Sequence, residues 1–469
     1  MVMTYDDLNN PSQWAQQQFA NVNLGDSRRT ARAVKLGTAL TSNPNASLPN
    51  QLQTWHDLKA AYRFLASKDV NFQAICKPHW EHTRNQARAL GKGVVLFIQD
   101  GSELDFSSLK ATENLGLIGN TRGGGLMLHS CLALNPQDNS NAVIGMAHQS
   151  VWKRTGVIKG TETRTQRAAR RTEYDVWAET LEAIGDAPNG DLEPIWLSVS
   201  DRGSDLFSFV RRAKAKNWHC LLRSCQDRAV QTDSGQTRLF SLARSLPARG
   251  KMMINKRGRD GQIGHEIELN VAWGPVQLLA PKNGAEKNQA AICGWCVRAW
   301  ESSSSSGEGT PLEWILFSTL CVERVADALD QLAWYAMRWI IEEYHKALKT
   351  GCAMELRQLG RADGLERLLG FLTVVAVRLL QMRCLSRSSP DLLAENVIEP
   401  VALEVIAARL GVKPALLTVC AFWHGVAGLG GFLGRKSDGD PGWQTLWRGW
   451  FRLQDMCWSA GLAVEHRKI

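Results

Sequence analysis

The hydrophobic period of this chain changes at Gly93 and changes back near residue 324, and those two switches limit its fold more than any other feature. Up to about residue 90, apolar residues recur at helical spacing. Asp26 is placed to cap SRRTARAVKLGTAL, Pro44 and Pro49 bracket a loop, and HDLKAAYRFLAS and FQAICKPHWEHTRNQARAL predict two further helices, the second interrupted by Pro78. GVVLFIQD then reads as a short buried strand ending in Asp100, with LMLHSCLALNP and AVIGMAHQSVW as two more strands of an antiparallel meander. An Arg-rich helix is predicted over roughly 161–184. EPIWLSVSD is a strand ending in Asp201, SDLFSFVRRAKAK a helix, and WHCLLRSC a strand. A turn-rich, strand-like block fills about 229–320, interrupted by the loop ESSSSSGEGTP. From 324 onward the period is helical, over about 363–386, 401–431 and 443–461, with breaks at Ser388–Pro390 and SDGDPG. The pattern predicts an α/β protein: a helical domain (1–90), a mixed-sheet domain with a β-rich insertion (91–386), and a helical domain (387–469).

Charge narrows the partners. The 469 residues carry a formal net charge of +9, which favours an acidic partner such as nucleic acid over a neutral one. The eleven cysteines follow no framework spacing, as expected of reduced thiols in a cytoplasm. The opening MVMTYDDLNN has neither a basic nor an apolar signal region, and no apolar run reads as a membrane span. Cys293 and Cys296 form a C-x-x-C, but no further ligands stand nearby for zinc, and a position inside a strand does not suit a redox motif. Gly123–Gly125 lacks the Lys-Ser/Thr of a phosphate loop. His129, His148 and His345 sit in apolar or helical contexts, which argues for packing rather than acid–base work.

The chemistry concentrates in Y-x2-R-x3-E-x6-K, namely Tyr335, Arg338, Glu342 and Lys349. At helical spacing these residues, with Lys346, fall on one narrow arc, while Glu343 points about a quarter-turn away. The plain alternative is a solvated salt-bridge face with Glu342 and Lys346 as an i,i+4 pair. Asp100 and Asp201 taken singly are ordinary turn or cap residues. Together with Glu342 they form a set of hard oxygen donors suited to Mg²⁺, with cations nearby to hold phosphates. Strand-Asp, strand-Asp, helix-Glu is the order found in ribonuclease H-like nucleotidyl transferases.

YAMRWIIEEYHKALKTG resembles the signature of the DDE transposases of bacterial insertion sequences. The resemblance continues in order through NLGDSRRTARAV, AYRFL, FIQDGSELDF, SVSDRGSDLF, LLRS, PLEWILFST, LERLLGFLTVVAVRLLQMR and LGGFLGRKSDGDPGWQTLWRGW, covering nearly the whole chain. It implies a ribonuclease H-like core in which Asp100, Asp201 and Glu342 hold Mg²⁺, with Mn²⁺ able to substitute. It implies that Tyr335, Arg338, Lys346 and Lys349 meet phosphates at the cleaved strand, and that Trp314 stacks on a flipped base. Read alone, Trp314 is a core strand residue. Arg28, Arg29 and Arg32 match the family's DNA-end contacts, where the plain reading is an exposed basic face; Arg63 and Arg223 match basic positions. The implied activity is cut-and-paste transposition: end nicking, hairpin formation and opening, then strand transfer. The implied partners are double-stranded transposon-end and target DNA and a second copy of the chain, in a bacterial cytoplasm at the nucleoid and away from any membrane. A DNA-binding relative without catalysis and a nuclease of the same fold are the alternatives. The chain departs from the family at the Gly-rich segment 120–130 and at Arg164, Arg167, Arg170 and Arg171, which read equally as a DNA face or as solvated charge.

Overall fold

The computed structural model describes residues 10–52, 54–119, 123–138, 142–155, 172–256, 265–301, 311–435 and 438–466. Asn120–Arg122 and the four arginines at 164–171 lie outside them.

Strand β1 (Val94–Asp105) sits between β3 (Gly123–Leu134), antiparallel, and β5 (Ile195–Ser200), parallel. Short β2 (Gly116–Ile118) and β4 (Val143–Trp152) both pair with β3. The continuous apolar run of β1 is explained by helices on both sides of the sheet. Leu96 and Ile98 join one hydrophobic cluster, whereas Val95 and Phe97 join another on the opposite face, following the two-residue period of a strand. Phe97 packs at 4.7 Å on both Trp196 and Trp218.

Beyond β5 the sheet continues through β6 (His219–Arg223), parallel. It then takes in the region expected to be an insertion: β7 (Ala229–Thr232), β8 (Gly235–Arg238), β9 (Gly250–Lys256), β10 (His265–Leu278), β11 (Ile292–Glu301) and β12 (Glu313–Ser318). These strands do not form a separate sheet. β12 returns to pair antiparallel with β6, so one 12-stranded sheet runs β2-β3-β1-β5-β6-β12-β11-β10-β7-β8, with β9 on β10. Hydrophobic patterning marked the strands but could not show that the last of them closes back onto the core.

Helices α1 (Pro11–Phe19), α2 (Ser27–Ser42), α3 (Trp55–Ala66) and α4 (Phe72–Ala89) precede the sheet, with a single helical turn, Leu48–Gln51, between α2 and α3. Asp26 caps α2 as expected, accepting from the Arg28 N–H at 2.8 Å, and Pro78 sits inside α4 without ending it. Helices α5 (Val176–Ile184) and α6 (Phe207–Lys214) cover one sheet face. On the other side lie α7 (Val325–Met337), α8 (Trp339–Lys346) and the long α9 (Ala362–Ser388). By length and composition, residues 362–387 would pass for a membrane span, contrary to expectation; in the fold the most apolar 18-residue window of that stretch is 94% buried, as the central core helix. The helical stretch expected at 401–431 is two helices, α10 (Pro400–Leu410) and α11 (Val419–Leu429). Gly411 ends α10 in a left-handed conformation (φ +67°), and Pro414 follows. The last helix is α12 (Trp443–His466).

Candidate active site

Asp100 lies on β1 just past the point where its parallel partner β5 stops. Ile98 pairs with Val199, so Asp100 and Asp201 come two positions later, side by side where the parallel β1–β5 pairing ends; β1 does not end at Asp100 as its apolar run suggested but continues to Asp105 against β3. Ligand sites form at the carboxyl ends of parallel strands because the chain diverges there. Asp201 opens a 3-10 turn, Arg202–Ser204, and accepts from the Gly203 N–H at 2.8 Å. Asp100 accepts from the Gly101 N–H at 2.8 Å. Its carboxyl is pushed up to about 6, first by burial, then by the charge of Asp201; the Arg338 guanidinium and the Gly101 N–H oppose the rise, and Glu342 adds to it.

Arg338 joins the third carboxylate to this pair. It reaches Asp100 Oδ2 at 3.3 Å and Glu342 Oε1 at 2.9 Å with its two terminal nitrogens. The pairing expected if this were a plain surface helix, Glu342 with Lys346, is not the one formed. Lys346 stands 3.9 Å from Glu343 and over the Trp339 ring. Glu343, expected to point elsewhere, is buried and ion-paired with Arg383, and accepts from the Trp339 indole at 3.2 Å.

The motif does not lie along one helix face. α7 ends at Met337 and α8 begins at Trp339, and Arg338 N–H bonds to the Tyr335 carbonyl, an i→i−3 contact that tightens the joint. Lys349 lies in a π-helical turn, Ala347–Gly351. An over-tight joint and an over-wide turn replace the uniform 3.6-residue period assumed from spacing. Tyr335 is buried against Arg223, and burial raises its phenol above the usual range. Trp314, half-buried on β12, meets Tyr335 edge-on at 5.3 Å. Arg223 donates to the Glu313 carbonyl at 3.0 Å. Lys349 is ion-paired with Glu355 at 3.3 Å.

The three carboxylates, Arg338, Tyr335, Arg223 and Trp314 therefore form one neighbourhood. Among the described residues, however, no three His, Cys, Asp or Glu side chains stand close enough for a ready-made metal-binding group. Arg338 stands between Asp100 and Glu342 and meets the charge of both. The donors here are carboxylate oxygens, the ligand type that a hard divalent cation takes, and Asp100 is raised first by burial and then by the charge of Asp201. His129 and His345 are buried and His148 half-buried, and burial pushes them down to about 3, 3 and 4, so they are held neutral.

The N-terminal arginines lie apart from this centre. Arg28 is exposed and paired with Asp26. Arg29 is tied to Asp69 and to the Leu24 carbonyl, and Arg32 to Asp57 at 3.0 Å. Lys35, Thr54 and Arg32 hold the Asp57 carboxyl well below the usual range. Arg63 is exposed on α3. Sequence reasoning missed Asp205, which is buried just past the Asp201 turn. The available signal was a second Asp closing the same motif, SVSDRGSD.

Residues 11–70 match a family model described as Transposase DNA-binding. Residues 374–464 match one described as Transposase Tn5 dimerisation domain. These two matches support a transposase, a DNA-cutting enzyme that binds DNA and forms a homodimer. More narrowly, the second match supports a Tn5-like transposase.

Proposed function

We propose that the chain is a DDE transposase that excises its element by metal-dependent cut-and-paste chemistry, with Asp100, Asp201 and Glu342 as the acidic centre of a ribonuclease H-like core. The observation that carries this reading is that Asp100 and Asp201 stand side by side where the β1–β5 pairing ends, and that Arg338 ties Asp100 to the helix glutamate Glu342. In this reading residues 1–90 take the DNA end, 91–386 perform the chemistry, and 387–469 pair two copies. The protein works on transposon-end and target DNA in a bacterial cytoplasm.

Asp100, Asp201 and Glu342 would hold Mg²⁺ or Mn²⁺, which supplies Lewis acidity at phosphorus and a more acidic water. The protein's own contribution is placement and charge. Arg338, now neutralising two carboxylates, would turn to phosphate oxygens once their charge is met elsewhere. Tyr335, Lys346 and Lys349 would steady the phosphates of the cleaved strand. Trp314 would leave its edge contact with Tyr335 and stack on a base unpaired during hairpin formation, an interaction of about 1–3 kcal/mol. Arg28, Arg29, Arg32 and Arg63 would bind the end, with Arg223 at the cleft. Water nicks one strand, the released 3′-OH attacks the opposite strand to close a hairpin, a second water reopens it, and the 3′-OH joins target DNA.

The test is incubation with the element's terminal DNA, with and without Mg²⁺ or Mn²⁺, for wild type and Glu342→Gln. Metal-dependent nicks and hairpins in wild type alone are expected. Specific end binding without cleavage by either protein would overturn this in favour of a catalytically inactive DNA-binding relative. The guanidinium between Asp100 and Glu342 is the observation on that side.

A further inference from the structure

Asp205 makes more polar contacts than any role in a turn requires. It follows the 3-10 turn that Asp201 opens, and it is 5% exposed. One carboxylate oxygen accepts from the backbone N–H groups of Cys225 and Gln226, each at 2.7 Å. The other accepts from Arg228 Nε at 2.9 Å, and the Asp205 carbonyl accepts from Arg228 Nη2. The bonded segment leads from the end of β6 into β7, the first strand of the sheet's β-rich half. Arg223, the last residue of β6, lies just before it and faces Tyr335.

The Asp201 turn and the Arg223 strand end are neighbours, and the β5–β6 pairing stops just before them, at Ser200 and Leu222, while Arg223 still pairs with Leu316 on β12. Ladder hydrogen bonds no longer fix their separation there. A buried carboxylate that satisfies two loop N–H groups and a guanidinium does so instead, and a buried charge of this kind holds its partners tightly because releasing them leaves it uncompensated.

We propose that Asp205 is a positioning residue: it latches the 225–228 loop to the Asp201 turn, and so sets Arg223 against Tyr335 and Trp314 for the hairpin step. This rests on the transposase reading above. In that reading Trp314, which Tyr335 meets edge-on, serves hairpin formation alone, whereas the first nick draws on the carboxylates, Arg338, Tyr335 and the lysines and does not need Trp314. Loss of the latch is therefore expected to separate the two steps.

Cys225 provides a readout independent of catalysis. Its thiol donates to the Arg202 carbonyl at 3.4 Å, it is exposed, and its N–H is one of the latched groups. The experiment compares wild type, Asp205→Asn and Asp205→Ala in iodoacetamide labelling at Cys225, followed by peptide mass spectrometry, and in single-turnover nicking and hairpin formation on end DNA. Asp205→Ala is expected to label about fivefold faster, to nick within about twofold of wild type, and to form hairpins about tenfold more slowly, with Asp205→Asn between the two because it keeps one acceptor oxygen. Unchanged labelling, or nicking and hairpin formation falling together, would overturn the proposal. Should Asp205→Ala not fold, Asp205→Asn alone decides by the same step ratio. Wild type that labels as expected but neither nicks nor closes hairpins would instead overturn the transposase reading, and the catalytic role of Asp205 with it.

Discussion

At the scale of single residues, Asp100 carries the most informative electrostatics. Folding raises its carboxyl from the ordinary 3.8 to about 6, because burial and the neighbouring carboxylates outweigh Arg338. A group that holds its proton more tightly when folded stabilises the fold fully below about 3.8, and that contribution is lost as pH rises through about 6. Metal-free protein therefore bears a cost at neutral pH of up to roughly 3 kcal/mol. Asp100→Asn is expected to exceed wild type in stability at pH 7.5 without divalent cations, with the gap closing by pH 4. Urea unfolding at the two pH values checks this, and a gap independent of pH would count against it. The spacing of Tyr335, Arg338, Glu342 and Lys349 was legible in the sequence, and so were the strands that carry Asp100 and lead into Asp201, although the first runs on past Asp100 to Asp105. The partner of Arg338 across the sheet was not, because Asp100 is far away in the chain.

At the scale of elements, the closest packing is between α11 and α12. A Cβ added at Gly449 would stand 1.7 Å from the Val426 carbonyl oxygen, and one at Gly430 would stand 1.9 Å from that of Thr445. Two backbones approach to a distance that no side chain permits. Trp423 and Trp450 stack across the same pair of helices at 5.3 Å. Gly449→Ala must push the helices apart, and a loss of about 1–3 kcal/mol is expected, together with weaker dimerisation, since both helices lie within the segment that matches the dimerisation model. Denaturant unfolding and sedimentation check it; a variant as stable as wild type would mean the helices are not held by this contact. Helical period announced both helices, but it cannot report that two glycines face each other. The same limit hid the joint at Arg338 and the π-turn at Lys349, where local hydrogen bonding departs from the regular period.

At the scale of the whole molecule, α9 is the spine. Phe371 meets Phe19 at 5.0 Å and Phe64 at 6.0 Å, and Arg367 donates to the Val70 and Leu65 carbonyls at 2.7 and 2.9 Å. One hydrophobic cluster runs from Trp14 through β1 and α9 to Leu453. The N-terminal helices should therefore unfold together with the sheet. Phe371→Ala is expected to cost about 3–5 kcal/mol and to shift a single cooperative transition rather than release the N-terminal helices first. Limited proteolysis alongside urea unfolding would reveal a separate early step, which would contradict this.

By itself the sequence determined what depends on neighbours along the chain: helices at both ends, strands in the middle, Asp100 and Asp201 each closing an apolar run, Glu342 in a basic helical context, and a net charge suited to DNA; that β1 runs on past Asp100 to Asp105 it did not show. Period and charge are properties of short windows, so a single chain displays them. Tertiary structure alone decided that β12 closes back beside β6, that Arg338 bridges Asp100 and Glu342, that Asp205 latches the loop beyond Arg223, and that a helix apolar enough to cross a membrane is instead the core. Each of these joins residues far apart in sequence, and such contacts form only when the folded chain buries both partners together.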